Sequence, residues 1–369
     1  MKVIFTCGGT AGHVNPALAL AGYMEKQHPG LEVLFVGTPD GIEKGLVEKA
    51  GYAYAAIEIS SFQRSLKALR HNLHTARTMI SSRREANAVL RRFVPDLVVG
   101  TGGYASYPIL KAAAKKGIPT AVHESNMIPG LTTKLLEPSA TVIMVGFEDC
   151  RAHYQHPEKV QVTGTPVRGD FFDLTKEQAR AKLGYTDHKP LVVSFWGSLG
   201  ATTMNANMLD FFACEKAADF PFHHIHAAGS RSWPEMQQKL RQGQMHDAAL
   251  DVREYIYDMA VVMRAADLVI CRAGASTISE LTALGMPAVM VPSPYVVANH
   301  QEKNARILEK HGGAVVLLEA EADGKTLYET TAAILSDPAR LQAMQQGMAE
   351  LGIPNATARI YQTVMSLLG

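Results

Sequence analysis

Twelve short apolar runs recur along the chain, and stretches with helical spacing separate most of them. In the first half they are VIFT (3–6), EVLFVG (32–37), DLVVG (96–100), PTAVH (119–123), TVIMVG (141–146) and VQVTG (160–164). In the second half they are LVVSF (191–195), HHIHAAG (223–229), VREYI (252–256), DLVIC (267–271), PAVMV (287–291) and GAVVLL (313–318). Runs that are apolar throughout belong to strands covered on both faces, and strands separated by helices join in parallel. The pattern predicts an α/β protein built from doubly wound parallel sheets. Twelve strands are too many for one comfortable sheet, so they divide between two Rossmann-like domains. The division falls in TGTPVRGDFFD (163–173), where a strand runs into Gly and Pro and a new helical stretch begins. The expected domains are 1–165 and 166–354. A terminal helix over 355–369, with no strand behind it, is expected to pack back on the first.

Composition narrows the function classes. The chain has 369 residues, 47% of them apolar, enough for two packed cores. A net charge of +1 gives no global attraction for nucleic acid, and none is expected as a partner. Cys7, Cys150, Cys214 and Cys271 lie far apart with no CxxC pair. That spacing argues against a zinc site or a disulfide framework and fits a reducing compartment. No apolar run approaches the roughly 18–20 residues of a membrane-spanning helix, and MKVIFTCGGT does not read as a secretion signal. The expectation is a soluble protein, or at most one that sits on a membrane surface.

In parallel sheets, ligands bind beyond the carboxyl ends of the strands. Glycine-rich corners stand there: CGGTAGH, GTGGYASYP and HESN in the first half, WGSLGA and CRAGAST in the second. Glycine at such corners lets backbone N–H groups approach an anion. In the first corner, Asn15 reads as an N-cap and Pro16 as the first helical residue. Ala17, Leu20, Ala21 and Met24 then mark a buried helix face. His13 falls at the positive end of that helix, where the field disfavours imidazolium and leaves a ring able to accept a proton. Its plainer role would be to hydrogen-bond the turn. Asp40 stands where a dinucleotide-binding fold places its ribose acid, but the glycine loop reads G-G-x-x-G rather than G-x-G-x-x-G, and no G-K-[ST] is present.

The second half carries the stronger nucleotide signal. Glu280 lies about one turn into a helix beginning near Ser276, where it could accept ribose hydroxyls while Ser276, Thr277 and backbone N–H groups face phosphates. It could equally complement the helix dipole. Arg168 could reach a diphosphate or form a surface ion pair. Ser198 is a phosphate contact or an ordinary cap. His300 and Gln301 offer polar groups suited to sugar hydroxyls, or simply open a helix.

The stretch 61–92 concentrates Arg64, Lys67, Arg70, Arg77, Arg83, Arg84, Arg91 and Arg92, with Glu85 its only acid. Phe62, Leu66, Leu69 and Leu73 lie among the first cations. Interleaved basic and apolar groups suit an anionic bilayer surface, or else a helix packed on the sheet with a solvated basic face.

In order along the chain, GGTAGHVNPALALA, GTGGYASYP, HESNMIPG, TGTPVR, GSLGA, DMAVVMRAADLVICRAGASTISEL and HQEKNA resemble the MurG-type glycosyltransferases. These bacterial enzymes add N-acetylglucosamine to lipid I in peptidoglycan synthesis. The resemblance runs from residue 3 to about 368. It implies the GT-B fold, with two Rossmann-like domains and an interdomain cleft, and UDP-N-acetylglucosamine as donor. It places Ile256 at the uracil, Glu280 at the ribose, and Arg168, Ser198, Ser276 and Thr277 near the diphosphate. His300, Gln301 and Asn126 fall at the sugar, and His13 at the general base. Thr10, Ala11, Gly12, Tyr104 and Glu124 fall in the acceptor loops. Trp196 and Leu199 depart from the pattern, standing where Gly and Gln are frequent.

With no D-x-D sequence, no cofactor and no obligatory metal are expected. The implied place is the cytoplasmic face of the membrane, bound peripherally through undecaprenyl-linked lipid I and an anionic surface. A diacylglycerol glucosyltransferase is the alternative enzyme, disfavoured by the first-half loops. A nucleotide-binding module without catalysis is the alternative of another class, disfavoured by His13, Arg168 and Glu280 together.

Overall fold

The computed structural model describes residues 1–59, 69–296 and 299–369. The chain divides into two compact units, Met1–Val167 with Ile353–Gly369, and Arg168–Gly352.

The first unit is a parallel sheet of β1 (Lys2–Thr6), β2 (Glu32–Gly37), β3 (Ala53–Ala56), β4 (Leu97–Gly100), β5 (Thr120–Glu124), β6 (Val142–Val145) and β7 (Val160–Val162). Its order is β3-β2-β1-β4-β5-β6-β7. The second comprises β8 (Leu191–Phe195), β9 (His223–Ala227), β10 (Leu250–Arg253), β11 (Leu268–Cys271), β12 (Ala288–Met290) and β13 (Ala314–Val316). Its order is β10-β9-β8-β11-β12-β13, again with parallel pairs. Each sheet builds outward to one side, returns to its centre and builds to the other, the doubly wound Rossmann arrangement. Crevices open where the direction reverses, between β1 and β4 and between β8 and β11.

The twelve anticipated strands are present, and β3 is an addition. Its sequence, AYAA, carries little β preference because alanine fits a pleated surface poorly. It is held at the sheet edge by pairing with β2, and by Tyr54, whose hydroxyl donates to the Thr38 carbonyl at 2.6 Å. β10 starts earlier than expected and ends at Arg253, because Leu250 pairs with His224 and buries its side chain. Tyr255 and Ile256 are therefore loop residues.

The first helix corrects the expectation at Asn15 and Pro16. It spans Ala11–Gln27 with Thr10 as N-cap and Pro16 inside it. The Thr10 carbonyl accepts from the N–H groups of His13 (3.0 Å) and Val14 (3.3 Å), so a turn forms before the proline is reached. Pro16 then forfeits only the bond to the Gly12 carbonyl. The inward face is as expected: Ala17, Leu20, Ala21 and Met24 are each at most 1% exposed.

The terminal helix, Ala356–Met365, completes the same core with Ile360 and Val364. Thr363 donates to Gln161 at 3.0 Å, and Tyr361 meets His28 at 2.7 Å. The second core gathers Met204, Met208, Phe211, Phe212 and Phe222 against the sheet.

Of the basic stretch, residues 61–68, with Phe62, Arg64, Leu66 and Lys67, lie outside the described residues. The helix Leu69–Phe93 carries the rest. Ala86 and Leu90 are buried on one side, and Arg83, Arg84, Arg91 and Arg92 are exposed. No described helix is long and apolar enough to cross a membrane.

Candidate active site

In the first unit, the corners after β1 and β4 meet at the sheet's reversal point. Gly103, at φ +84°, comes so near that a Cβ there would lie 2.1 Å from the Gly8 carbonyl oxygen. His13 sits over this junction. Its Nδ1 is 2.8 Å from the Gly8 carbonyl, which can only accept, so Nδ1 carries the hydrogen. In the neutral ring Nε2 is then the lone pair. The ring's other edge lies over Gly102, where a Cβ would come within 2.6 Å of Cδ2 and 3.0 Å of Nε2. The Thr101 hydroxyl donates to the His13 carbonyl at 2.6 Å, tying the helix start to the corner after β4.

Beneath the corner lies a residue that sequence reasoning missed. Glu43 is fully buried and accepts from the Thr38 N–H (2.9 Å), the Thr38 hydroxyl (2.6 Å) and the Gly9 N–H (3.3 Å). Asp40, the acid weighed for this corner, is exposed in the preceding turn. Glu43 binds the glycine loop to the end of β2. Its charge, after burial itself, pushes Cys7 up to about 12 and raises Tyr104.

Glu124, at the end of β5, is likewise occupied by its own loop. It accepts from the Asn126 N–H (3.0 Å), the Asn126 amide (3.0 Å), the Gly130 N–H (3.0 Å) and the Thr133 hydroxyl (2.7 Å). It therefore orients Asn126. Tyr104 is half-buried beside Gly9. Thr10 is exposed at the helix start, and Ala11 and Gly12 form the helix's first positions.

In the second unit, the helix Ala275–Leu284 starts after β11 with Gly274 as N-cap, so Ser276 and Thr277 occupy its first turn. Glu280 follows on its second turn. Burial pushes its carboxyl up to about 7, against the pull of Arg168 and with a smaller push from Asp170. Among the described residues no hydrogen bond reaches its carboxylate. Arg168 is exposed, 3.4 Å from Asp170, with its guanidinium over the Phe171 ring at 5.3 Å.

Ser198 is exposed in the loop after β8, and its carbonyl accepts from the Ser230 N–H at 3.2 Å. Gly200 and Gly229 bring two backbones into contact there: a Cβ on Gly229 would lie 2.1 Å from the Gly200 nitrogen. Trp196 does not occupy the crevice. It is buried, with Arg272 over its ring at 5.7 Å and Arg272 paired in turn with Glu319. Leu199 is exposed. The side chain of Ile256 is buried, and its N–H has no protein partner among the described residues.

His300 opens the helix His300–Lys310, and the Gln301 side-chain oxygen accepts from the Ser293 N–H at 2.9 Å. A cavity of about 430 Å³, lined by Lys176, Arg264, Met286 and Gln345, opens at the opposite ends of these strands and includes none of the candidate residues. No group of three or more His, Cys, Asp or Glu among the described residues could hold a metal ion.

Two family models match the two halves of this architecture: the glycosyltransferase family 28 N-terminal domain over residues 3–145 and its C-terminal domain over 191–360. A UDP-N-acetylglucosamine–N-acetylmuramyl-(pentapeptide) pyrophosphoryl-undecaprenol N-acetylglucosamine transferase of Acetivibrio thermocellus is 40% identical over 368 residues, covering 100% of this chain and 98% of its own. The chain belongs to glycosyltransferase family 28. A transferase of the same name from Listeria monocytogenes is 39% identical over 368 residues, with 100% of both chains covered. The crystal structure of Acinetobacter baumannii MurG superposes with a TM-score of 0.79 at 27% identity, over 99% of each chain. Neisseria meningitidis UDP-GlcNAc 2-epimerase, bound to UDP-GlcNAc, shares the fold with a TM-score of 0.63 at 15% identity over 99% of this chain and 100% of its own. The family 28 N-terminal model thus falls within the first parallel-sheet unit, and the C-terminal model covers most of the second and runs into the helix Ala356–Met365 that packs on the first.

Proposed function

We propose that this chain is the hexosyltransferase that moves N-acetylglucosamine from UDP-N-acetylglucosamine to the C4 hydroxyl of the N-acetylmuramoyl unit of undecaprenyl-linked lipid I, making lipid II for peptidoglycan. Full-length relatives carry that donor and acceptor in their names. The observation that carries the chemistry is the 2.8 Å contact between His13 Nδ1 and the Gly8 carbonyl, which leaves Nε2 as a base. His13 takes the proton of the C4 hydroxyl as that oxygen attacks the anomeric carbon. UDP leaves, and the donor's α linkage becomes β in one displacement. A placed general base contributes typically about 10²–10⁴ in rate.

The leaving diphosphate is met by the N-terminus of the helix Ala275–Leu284, by Ser276, Thr277 and Ser198, and by Arg168, so no divalent cation is required. The Ile256 peptide takes the uracil and Glu280 the ribose. His300, the Gln301 amide and Asn126 take the sugar. Thr10, Ala11, Gly12, Tyr104 and the Glu124 loop serve the acceptor. Because the acceptor is a lipid, the enzyme works bound peripherally at the cytoplasmic face, with Arg83, Arg84, Arg91 and Arg92 meeting anionic headgroups.

The test is UDP release and product mass with a soluble lipid I analogue and UDP-N-acetylglucosamine in EDTA. One added N-acetylhexosamine supports donor, acceptor and metal independence together. An unmodified analogue alongside glycosylated diacylglycerol would overturn the acceptor assignment.

A further inference from the structure

Beneath the helix Thr202–Ala217, β8 and β9 set Ser194, His224 and His226 side by side. The register pairs Val192 with His224 and Ser194 with His226, so the three share one face of the sheet. The helix adds Asn205 and Glu215. All five are at most 5% exposed. They form one unbroken line. Glu215 Oε1 is 2.8 Å from His224 Nδ1, and His224 Nε2 is 2.7 Å from Ser194 Oγ. Ser194 Oγ is 2.6 Å from His226 Nδ1, and His226 Nε2 is 3.2 Å from Asn205 Oδ1.

The far end fixes the direction. Asn205 Nδ2 donates to the Ala228 carbonyl at 2.7 Å, which cannot donate back, so Oδ1 must accept from His226. Four links then need four hydrogens. An ionised Glu215, two neutral imidazoles and one hydroxyl supply three. One further proton completes the line and makes the cluster net neutral, as its burial demands. Glu215 Oε2 has no partner, so the proton is not used there. Burial and the neighbouring His224 hold His226 well below the ordinary histidine value, so it stays neutral. The added proton therefore lies in the Glu215–His224 link.

The Ala228 peptide is where the line reaches the candidate site. Its N–H donates to the Arg253 carbonyl at 3.0 Å, and the next N–H, of Gly229, donates to the Glu254 carbonyl at 2.9 Å, two residues before Ile256. On the other side, Ala228 and Gly229 abut Gly200, beside Ser198. We propose that Glu215, His224, Ser194, His226 and Asn205 are a proton-loaded positioning relay, which locks the Ala228 peptide and with it the two loops that hold Ser198 and Ile256 against a nucleoside diphosphate. The second half of this rests on the donor reading above. The relay moves no proton during transfer; it holds one.

The experiment uses the full chain. Nitrogen-15 histidine and carbon-13 carboxyl spectra near neutral pH count the hydrogens directly and need no activity. The expected result is a neutral His226 with its hydrogen on Nε2, and one proton in excess of ionised Glu215 plus singly protonated His224. Ionised Glu215 with a singly protonated His224 would overturn the relay. Three variants read its consequence through donor KM. Glu215→Gln supplies the fourth hydrogen from its amide, so it keeps KM within about twofold. Glu215→Leu removes the link's partner, and Asn205→Ala cuts the line at the loop. Each is expected to raise donor KM roughly tenfold with kcat nearly unchanged. Glu215→Gln as damaging as Glu215→Leu would overturn the proton count, and Asn205→Ala with unchanged KM would overturn the loop's role. A wild-type chain that shows the excess proton but binds no UDP would sink the donor reading and leave the proton count standing.

Discussion

The two units share a strand order and treat the carboxylates near their glycine corners in opposite ways. In the first, Glu43 and Glu124 lie under glycine loops with protein donors on both oxygens. In the second, Glu280 is half-buried and meets no hydrogen-bond donor among the described residues, and its carboxyl rises to about 7. A saturated carboxylate has spent its bonding on the fold. An unsatisfied one, on a helix that opens beyond a strand's carboxyl end, remains able to accept from a ligand, at a cost to the empty protein. The two kinds look alike in sequence and part company only in their surroundings.

Removing the proposed base should give the largest effect. His13→Ala is expected to lower kcat by about 10²–10⁴ with donor KM little changed, read by continuous UDP release. Equal losses in kcat and donor affinity would mean that His13 binds rather than takes the proton. Next, Glu43→Ala leaves three donors facing a void and should cost roughly 2–4 kcal/mol of stability in urea unfolding.

Glu280→Gln should act in the opposite sense. The carboxyl rises from about 4.5 to about 7 on folding, so between these values the folded chain keeps a proton that the unfolded chain gives up. Stability from this group therefore falls as pH rises across that window, by at most about 3 kcal/mol. The glutamine escapes that loss, so the empty variant should melt higher than wild type above pH 7 while its donor KM rises roughly tenfold or more. A carboxylate that accepts ribose hydroxyls also predicts a wild-type donor KM that falls as pH climbs through about 7, and a flat profile in the variant. A variant that melts lower and keeps its donor KM would erase the contrast between the units.

The smallest effect expected is at Gly102. An added Cβ would displace the His13 ring, and alanine resists φ +115°, so Gly102→Ala should lower kcat by about tenfold and stability by about 1 kcal/mol.

Much of this was legible in the chain. Strands buried on both faces declare themselves by unbroken apolar runs, and the glycine corners by their place after those runs. The inward face of the first helix followed from spacing alone. Its start did not, because Thr10 begins the turn through its carbonyl, a group every residue has. Glu43 was hidden for a similar reason: in IEKGLVEK it differs from Glu48 only in what the fold brings over it. HHIHAAG displayed His224 and His226 on alternate positions, but their partners Ser194, Asn205 and Glu215 come from distant segments. Local pattern reports which way a side chain points. Whether it is satisfied there depends on residues far along the chain.

The helix Ala356–Met365 has a consequence for synthesis. It supplies Ile360 and Val364 to a core whose strands are the first made, and the whole of Arg168–Gly352 is made between them. The second unit emerges from the ribosome as an uninterrupted segment and can finish while translation continues. The first must wait with an open groove until the helix Ala356–Met365 has been made. The half of the enzyme that is begun first is thus completed after the other, and removing Ala356–Met365 is expected to open the core of the unit that carries His13 rather than that of the unit made just before the helix.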